Sequence, residues 1–535
     1  MTGQRNHSLP ILAAAFTVLL SLHAWAGAPA ITLPEPLAIE LPDGVTTLGS
    51  DDAPMRELIG KVQADGDRVT VSLPLDRIGI GVWYVVWSAW DAESADHPAA
   101  RRGAYLFVLP HGMTPVGVGG GGNAVAGNNT THIVRDPGGS VHMVWYDAFR
   151  PEIHEGAQYR RARVMPDGSV RFETDVMQLG AHAGTWNAMP TVTAFGDTVH
   201  FAWQANGTVW YRSLTRDGDA WHWSEEVDTK VVSPGRDTGP SIAADANGVY
   251  ILTPAAAFTA STDGGRTWKT EAVPFGNGEH AKTVSLALDS KGRPLAASSS
   301  VVSGPPKYSE DQGGGGFWTI RLARRTSPGV WERVPGPVDG LAEWAPPRTP
   351  NEDVLCDWVR VLEDGSGAIH VTWHGTAVSR IYAHDRAYYA WRSPEGEWRP
   401  PVPLRDPDPN RGYGFSYAPG LSLDGDRALT LAFHNVSAGH QPRGFDSDLE
   451  LFHDGKSVAP ALPVTRFAER SAVAGEPDSA LSSWFPGAAP SLVRTPDGRV
   501  LADILVSLVP TGVPAPALIV WIRKDLTAWL KAAGQ

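Results

Sequence analysis

The chain has 535 residues, with 45 Lys and Arg against 58 Asp and Glu, a net charge of −13, and 21 Trp. An acidic chain with no basic run is a poor partner for nucleic acid, whose phosphates call for Lys and Arg. The single cysteine, Cys356, excludes a fold held by internal disulfides.

Residues 1–26 read as a secretion signal. Arg5 supplies the positive end, Ile11 to Leu20 is an apolar run broken only by Thr17, and Ala24-Trp25-Ala26 is a small-residue cleavage site. The run is short for a bilayer span, and no later run approaches twenty apolar residues, so no transmembrane segment is expected. An exported protein, periplasmic or extracellular, follows from this reading. Lack of disulfides suits the bacterial periplasm.

Residues 27–112 alternate like short strands: Leu37 to Leu41, Val69 to Leu73, Gly81 to Ala89 and Gly103 to Val108. Several such strands with polar turns predict a small β-sandwich. The stretch Gly81 to Val108, with Asp96-His97-Pro98 between its strands, resembles the end of CopC-like copper-resistance domains, which are Ig-like sandwiches. The resemblance implies Asp96 and His97 as part of a Cu(II) site. The family's N-terminal His is missing from the predicted mature end, Gly27-Ala28-Pro29-Ala30, and so is its Met-rich Cu(I) site. Residues 113–128 carry the run Gly117-Val118-Gly119-Gly120-Gly121-Gly122 and read as a flexible linker.

Residues 129–535 repeat one β pattern seven times. Each copy is an apolar stretch, an Asp/Gly-rich turn and a second apolar stretch, as in His132 to Asp136 turning into Val141 to Trp145. Aligned on His142, the equivalents are His200, Tyr250, Leu295, His370, Thr430 and Leu501. A third strand follows each pair, for example Val209 to Ser213 and Tyr388 to Trp391, and a Trp-rich fourth segment often comes next, as at Trp221, Trp268, Trp331 and Trp398. A unit this small cannot bury its own apolar faces, so the units must stack, and short-stranded units stack as a ring. The expectation is an all-β chain: a seven-bladed β-propeller behind a small N-terminal sandwich.

One turn narrows this further. Ser261-Thr262-Asp263-Gly264-Gly265-Arg266-Thr267-Trp268 matches the Asp-box, S-x-D-x-G-x-T-W, and the propeller therefore resembles the sialidase-like (BNR-repeat) family. In that family the box lies opposite the active site, so Asp263 is expected to serve the turn alone.

The long insertions, such as Val301 to Gly316, Pro335 to Glu352, Ser437 to Asp446 and Phe467 to Phe485, all fall where the loop into the first strand or the loop from second to third strand belongs. These loops share one rim, here the upper face, and long loops on one rim of a rigid scaffold mark a binding or catalytic site. The same loops carry Asp147, Arg150, Trp186, Asn187, Arg236, His280, Lys282, Asp353, His374, Arg380, Tyr413, Tyr417 and Arg443. Aromatic planes, amides and cations together suit a sugar or an anionic glycan. The sialidase resemblance implies retention through a Tyr nucleophile (Tyr413 or Tyr417), an Asp acid (Asp147 or Asp353) and an arginine clamp drawn from Arg150, Arg236, Arg380 and Arg443. Trp186 and Asn187 join the clamp as substrate-binding residues. The family's Arg-Ile-Pro motif is absent, so no motif fixes these roles.

Three readings stay open: a glycosidase or lyase, a non-catalytic carbohydrate-binding scaffold, and a copper-binding periplasmic protein. His142, His200 and His370 recur at one strand position, which indicates packing within the repeat. His370 and His374 lie four residues apart on a strand, about 13 Å, too far to share an ion.

Overall fold

The computed structural model describes short strands between residues 18 and 110. It then describes residues 113–119, 122–125, 131–147, 156–166, 168–180, 189–205, 207–232, 239–276, 280–303, 316–347, 353–379, 386–404, 416–435, 445–465, 481–484, 490–510 and 517–534. The chain divides into two compact units, with the first boundary between Met113 and Thr114.

Among the described residues the first unit holds two small sheets. One orders Val18–Leu22, Arg101–Pro110, Gly81–Ala89 and Val45–Leu48; the other orders Ala38–Ile39, Arg68–Ser72 and Lys61–Asp65. Val18–Leu22, which the sequence assigns to a secretion signal, runs parallel to Leu106–Pro110 in this sheet.

The second unit is an all-β propeller. Its sheets are antiparallel meanders taken in chain order, for example Thr191–Phe195, Thr198–Ala205, Thr208–Asp217 and Ala220–Trp223. The first strands of successive repeats touch in a circle: Ile133–Arg135, Thr191–Phe195, Ser241–Asp245, His280–Leu288, Asp353–Glu363, Ser416–Asp424 and Ser491–Arg494, which returns to Ile133–Arg135. Each meander buries both faces against its neighbours, which explains why Trp145, Trp203, Trp373 and Trp521 are fully buried.

Two expectations are corrected. The repeats do not form seven separate blades. Among the described residues five discrete sheets of four or five strands stand alone, and the fourth and fifth repeats are fused in one eight-stranded sheet. The junction is the parallel pairing of Phe317 with Val354, sealed by the Val354 N–H donating to the Gly316 carbonyl at 3.0 Å. One core cluster, including Leu295, Ile320, Val359 and Trp373, runs through both halves of that sheet. Second, the described parts of the expected linker, residues 113–119 and 122–125, are regular structure. Met113–Gly119 is the outer strand of the last sheet, hydrogen-bonded beside Ala517–Asp525, and Gly122–Val125 is a 3₁₀ turn. Val116, Ala124 and Val125 pack with Trp145, Ile519 and Trp521 in one core. The ring is thus closed by a strand from before the first repeat. The glycines there serve close approach: a Cβ on Gly117 would fall 2.5 Å from Trp145 Cζ2.

An inner strand at the edge of its sheet has backbone groups without a ladder partner. Here hydroxyls of the neighbouring inner strand take several of them. Ser241 Oγ accepts from the Leu286 N–H at 3.0 Å, Ser285 Oγ from Val361 at 3.1 Å and Thr191 Oγ1 from Thr131 at 3.1 Å. These bonds run around the axis and hold one repeat to the next.

Candidate functional site

The inner strands start at the upper rim and descend. Lys282 is the third residue of His280–Leu288, and Asp357 is the fifth of Asp353–Glu363, so both lie in the upper half of the fused sheet. Lys282 Nζ donates to Asp357 Oδ2 at 2.6 Å, although the two are 75 residues apart in sequence. The Asp357 side chain is almost wholly buried, while that of Lys282 is about one-third exposed. The ammonium also stands 4.2 Å from the centroid of the Trp318 ring. On the second strand of the fourth repeat, the Ser299 hydroxyl donates to the Cys356 carbonyl at 2.5 Å.

The backbone is irregular at this point. The register of Asp353–Glu363 against Ile369–Ser379 shifts between Asp357 and Arg360, so the strand bulges there. Trp358 lies within the bulge at φ +55°, a region that L side chains rarely adopt. Its N–H donates to Asp357 Oδ1 at 2.8 Å, so one carboxylate holds both the Lys282 ammonium and the Trp358 backbone. Trp358 is half-buried, and its ring lies 6.2 Å from that of His374. His374 is fully buried, and burial drives its pKa down to about 3; Asp357 pulls upward and Lys282 downward by less. It is therefore a neutral imidazole at working pH. A half-buried indole, a partly exposed ammonium lying against a buried indole, and a buried carboxylate make a small polar site with apolar walls. Such a surface offers directed hydrogen bonds together with stacking.

The sequence-predicted residues fall as follows. Asp147 ends Ser140–Asp147 opposite Gly156, Asp353 begins its strand opposite Ser379, and Tyr417 is second in Ser416–Asp424, opposite Phe433. All three occupy the upper ends of strands. Arg150, Trp186, Asn187, Arg236, Arg380, Tyr413, Arg443, Asp96 and His97 lie outside the described residues. Lys282 and His374, picked from the rim, do come together. Asp357 and Trp358 are not among the residues the sequence singles out. The available signal was a carboxylate and an indole interrupting the apolar run Val354 to Val361.

The recurring histidines are structural. His142 Nδ1 bonds the Tyr159 hydroxyl at 2.9 Å and Nε2 bonds Asp136 at 3.0 Å; His370 repeats this with Tyr389 at 2.9 Å and Asp364 at 3.2 Å. His200 keeps the Tyr partner, Tyr211, at 2.8 Å. The turn around Asp263 also bonds internally. Its carboxylate accepts from the Thr267 hydroxyl at 2.6 Å and N–H at 2.9 Å and from the Ser261 hydroxyl at 2.8 Å, and these bonds hold its pKa below the usual range. Among the described residues no three His, Cys, Asp or Glu gather as a metal site.

No protein-family model matches the chain, and no curated protein sequence matches it. Solved structures with a similar course include the polysaccharide lyase Uly1, at 11% identity over 74% of this chain and 90% of that one, with a TM-score of 0.42. Another is the intramolecular trans-sialidase from Ruminococcus gnavus, at 10% identity over 77% and 97%, with a TM-score of 0.35. The Dos1 propeller matches at 7% identity over 78% and 88%, with a TM-score of 0.36. At these values the likeness says nothing about which ligand this chain binds.

Proposed function

We propose that this chain is an exported carbohydrate-binding protein whose ligand sits at the upper end of the inner strands of the fused sheet. The observation that carries the reading is the Lys282–Asp357 pair at 2.6 Å, with the Trp318 ring against the ammonium and the half-buried Trp358 next to Asp357 in the chain. An ammonium has three donors. The Asp357 carboxylate takes one, and the exposed third of the side chain leaves room for a sugar hydroxyl. The half-buried Trp358 indole, next to Asp357 in the chain, offers a plane to the apolar face of a pyranose. The candidate residues at the strand ends, Asp147, Asp353 and Tyr417, rim the same face in this reading. The Asp-box-like turn at Ser261–Trp268 supports kinship with sialidase-like propellers, and turnover on this face is the finer version of the proposal. The signal-like residues 1–26 support export.

Calorimetric titration with cellohexaose, mannohexaose and hexagalacturonate tests the proposal. Lys282→Met is combined with Asp357→Asn so that no buried charge is stranded. The expected result is binding by the wild type and a loss of about tenfold or more in the double variant, the scale of one charge-assisted hydrogen bond. Unchanged affinity in a folded double variant would place the ligand elsewhere, and a wild type that binds no glycan would remove the carbohydrate reading. Release of a fluorogenic aglycone, measured alongside, separates cleavage from binding.

A further inference from the structure

The backbone at Trp358 is the least expected feature of the fold. Among the described residues five non-glycine positions have positive φ: Met189, Lys230, Ala256, Trp358 and Asp454. Ala256 and Asp454 lie in turns, where the left-handed region is common. Trp358 lies inside an inner strand, at a bulge, and carries the bulkiest side chain of the five. A glycine would meet this conformation without a steric cost. Strain of this kind persists only where the surroundings over-determine it, and it gathers at binding and catalytic sites.

We infer that Trp358 is the ligand-stacking residue of this site, and that its bulge fixes the direction of the indole at a cost in stability. The inference rests on the carbohydrate reading above and adds which side chain selects the ligand: a ring with an apolar face, a pyranose. The geometry shows how the strain is maintained. Asp357 Oδ1 accepts the Trp358 N–H at 2.8 Å, and Oδ2 accepts Lys282 at 2.6 Å. Strand pairing is regular again from Arg360 opposite Thr372, so the distortion stays local. Val359, next in the chain, is anchored in the core, and its N–H donates to Thr283 Oγ1 at 3.3 Å. A bulge pinned on both sides re-aims one side chain and leaves the sheet intact.

The test compares Trp358→Gly, Trp358→Ala and Trp358→Phe in the full chain by melting temperature and by titration with the same three oligosaccharides. Gly and Ala both remove the ring, so their difference reads the backbone strain relieved, less what a glycine's freer unfolded chain costs. The Gly variant is expected to melt above the Ala variant. Both are expected to bind at least about tenfold more weakly than wild type, with Phe close to wild type, as the loss of one stacking plane implies. A Gly variant that melts at or below the Ala variant overturns the strain claim. Wild-type affinity in the Gly and Ala variants overturns the stacking role. A wild type that binds none of the three sugars defeats the carbohydrate reading itself, and the melting order still decides the strain claim.

Discussion

At the scale of single residues, the buried histidines set how the fold responds to acid. Burial pulls His200 down to about 4 from an ordinary value of 6.5, and His374 to about 3. Between those values and 6.5 the unfolded chain takes up protons that the folded chain refuses, so stability falls as pH falls. Their contribution is complete above 6.5 and is lost through the window down to about 4 for His200 and about 3 for His374. Asp364 acts in a lower window. Burial raises its carboxyl, but hydrogen bonds from His370, Ser366 and the Ala368 N–H outweigh that and leave it at about 2. Its support is present above 3.8 and goes as pH drops toward about 2. Urea midpoints should therefore begin to fall near pH 6. His200→Gln should remove part of the slope between pH 6.5 and 4, up to roughly 3 kcal/mol from the linkage relation. An unchanged slope would show that His200 is not held neutral. The recurrence of His142, His200 and His370 at one strand position was legible in the sequence as packing. Their Asp and Tyr partners were less so, because Tyr159 and Tyr389 lie on the next strand.

At the scale of elements, strands were readable and their joins were not. The third strands fall where the aromatic-ended runs suggested, as at Val209 to Ser213 and Tyr388 to Trp391. The polar–apolar alternation with Asp/Gly turns is a local signal and survives in any context. The strand Met113–Gly119 was hidden because a glycine-rich run is flexible unless something packs on it. What packs on it is Trp145, across the ring closure. Gly117→Ala should therefore lower stability by about 1–3 kcal/mol, the usual cost of overpacking a filled core. In a mobile linker the same change would be neutral, and a thermal melt separates the two. The Phe317–Val354 junction was equally invisible, since one parallel pair leaves no pattern in sequence.

At the scale of the whole molecule, the sequence shows repetition and therefore a ring, while contacts between neighbouring repeats bring together the side chains of the proposed site. Lys282 and Asp357 meet because consecutive inner strands descend side by side, and Thr283 and Ser285 bond the N–H groups of Val359 and Val361. Nothing local in either segment names its partner. The rim residues chosen by loop length, such as Arg380 and Tyr413, rest on an argument about where loops gather. Lys282, Asp357 and Trp358 rest on distances. The most direct measurement is hydrogen–deuterium exchange of the full chain with and without a saturating oligosaccharide. The account predicts added protection at the amides of His280–Ser285 and Leu355–Arg360. Protection at the Ser261–Trp268 hairpin instead, or in neither segment, would contradict it.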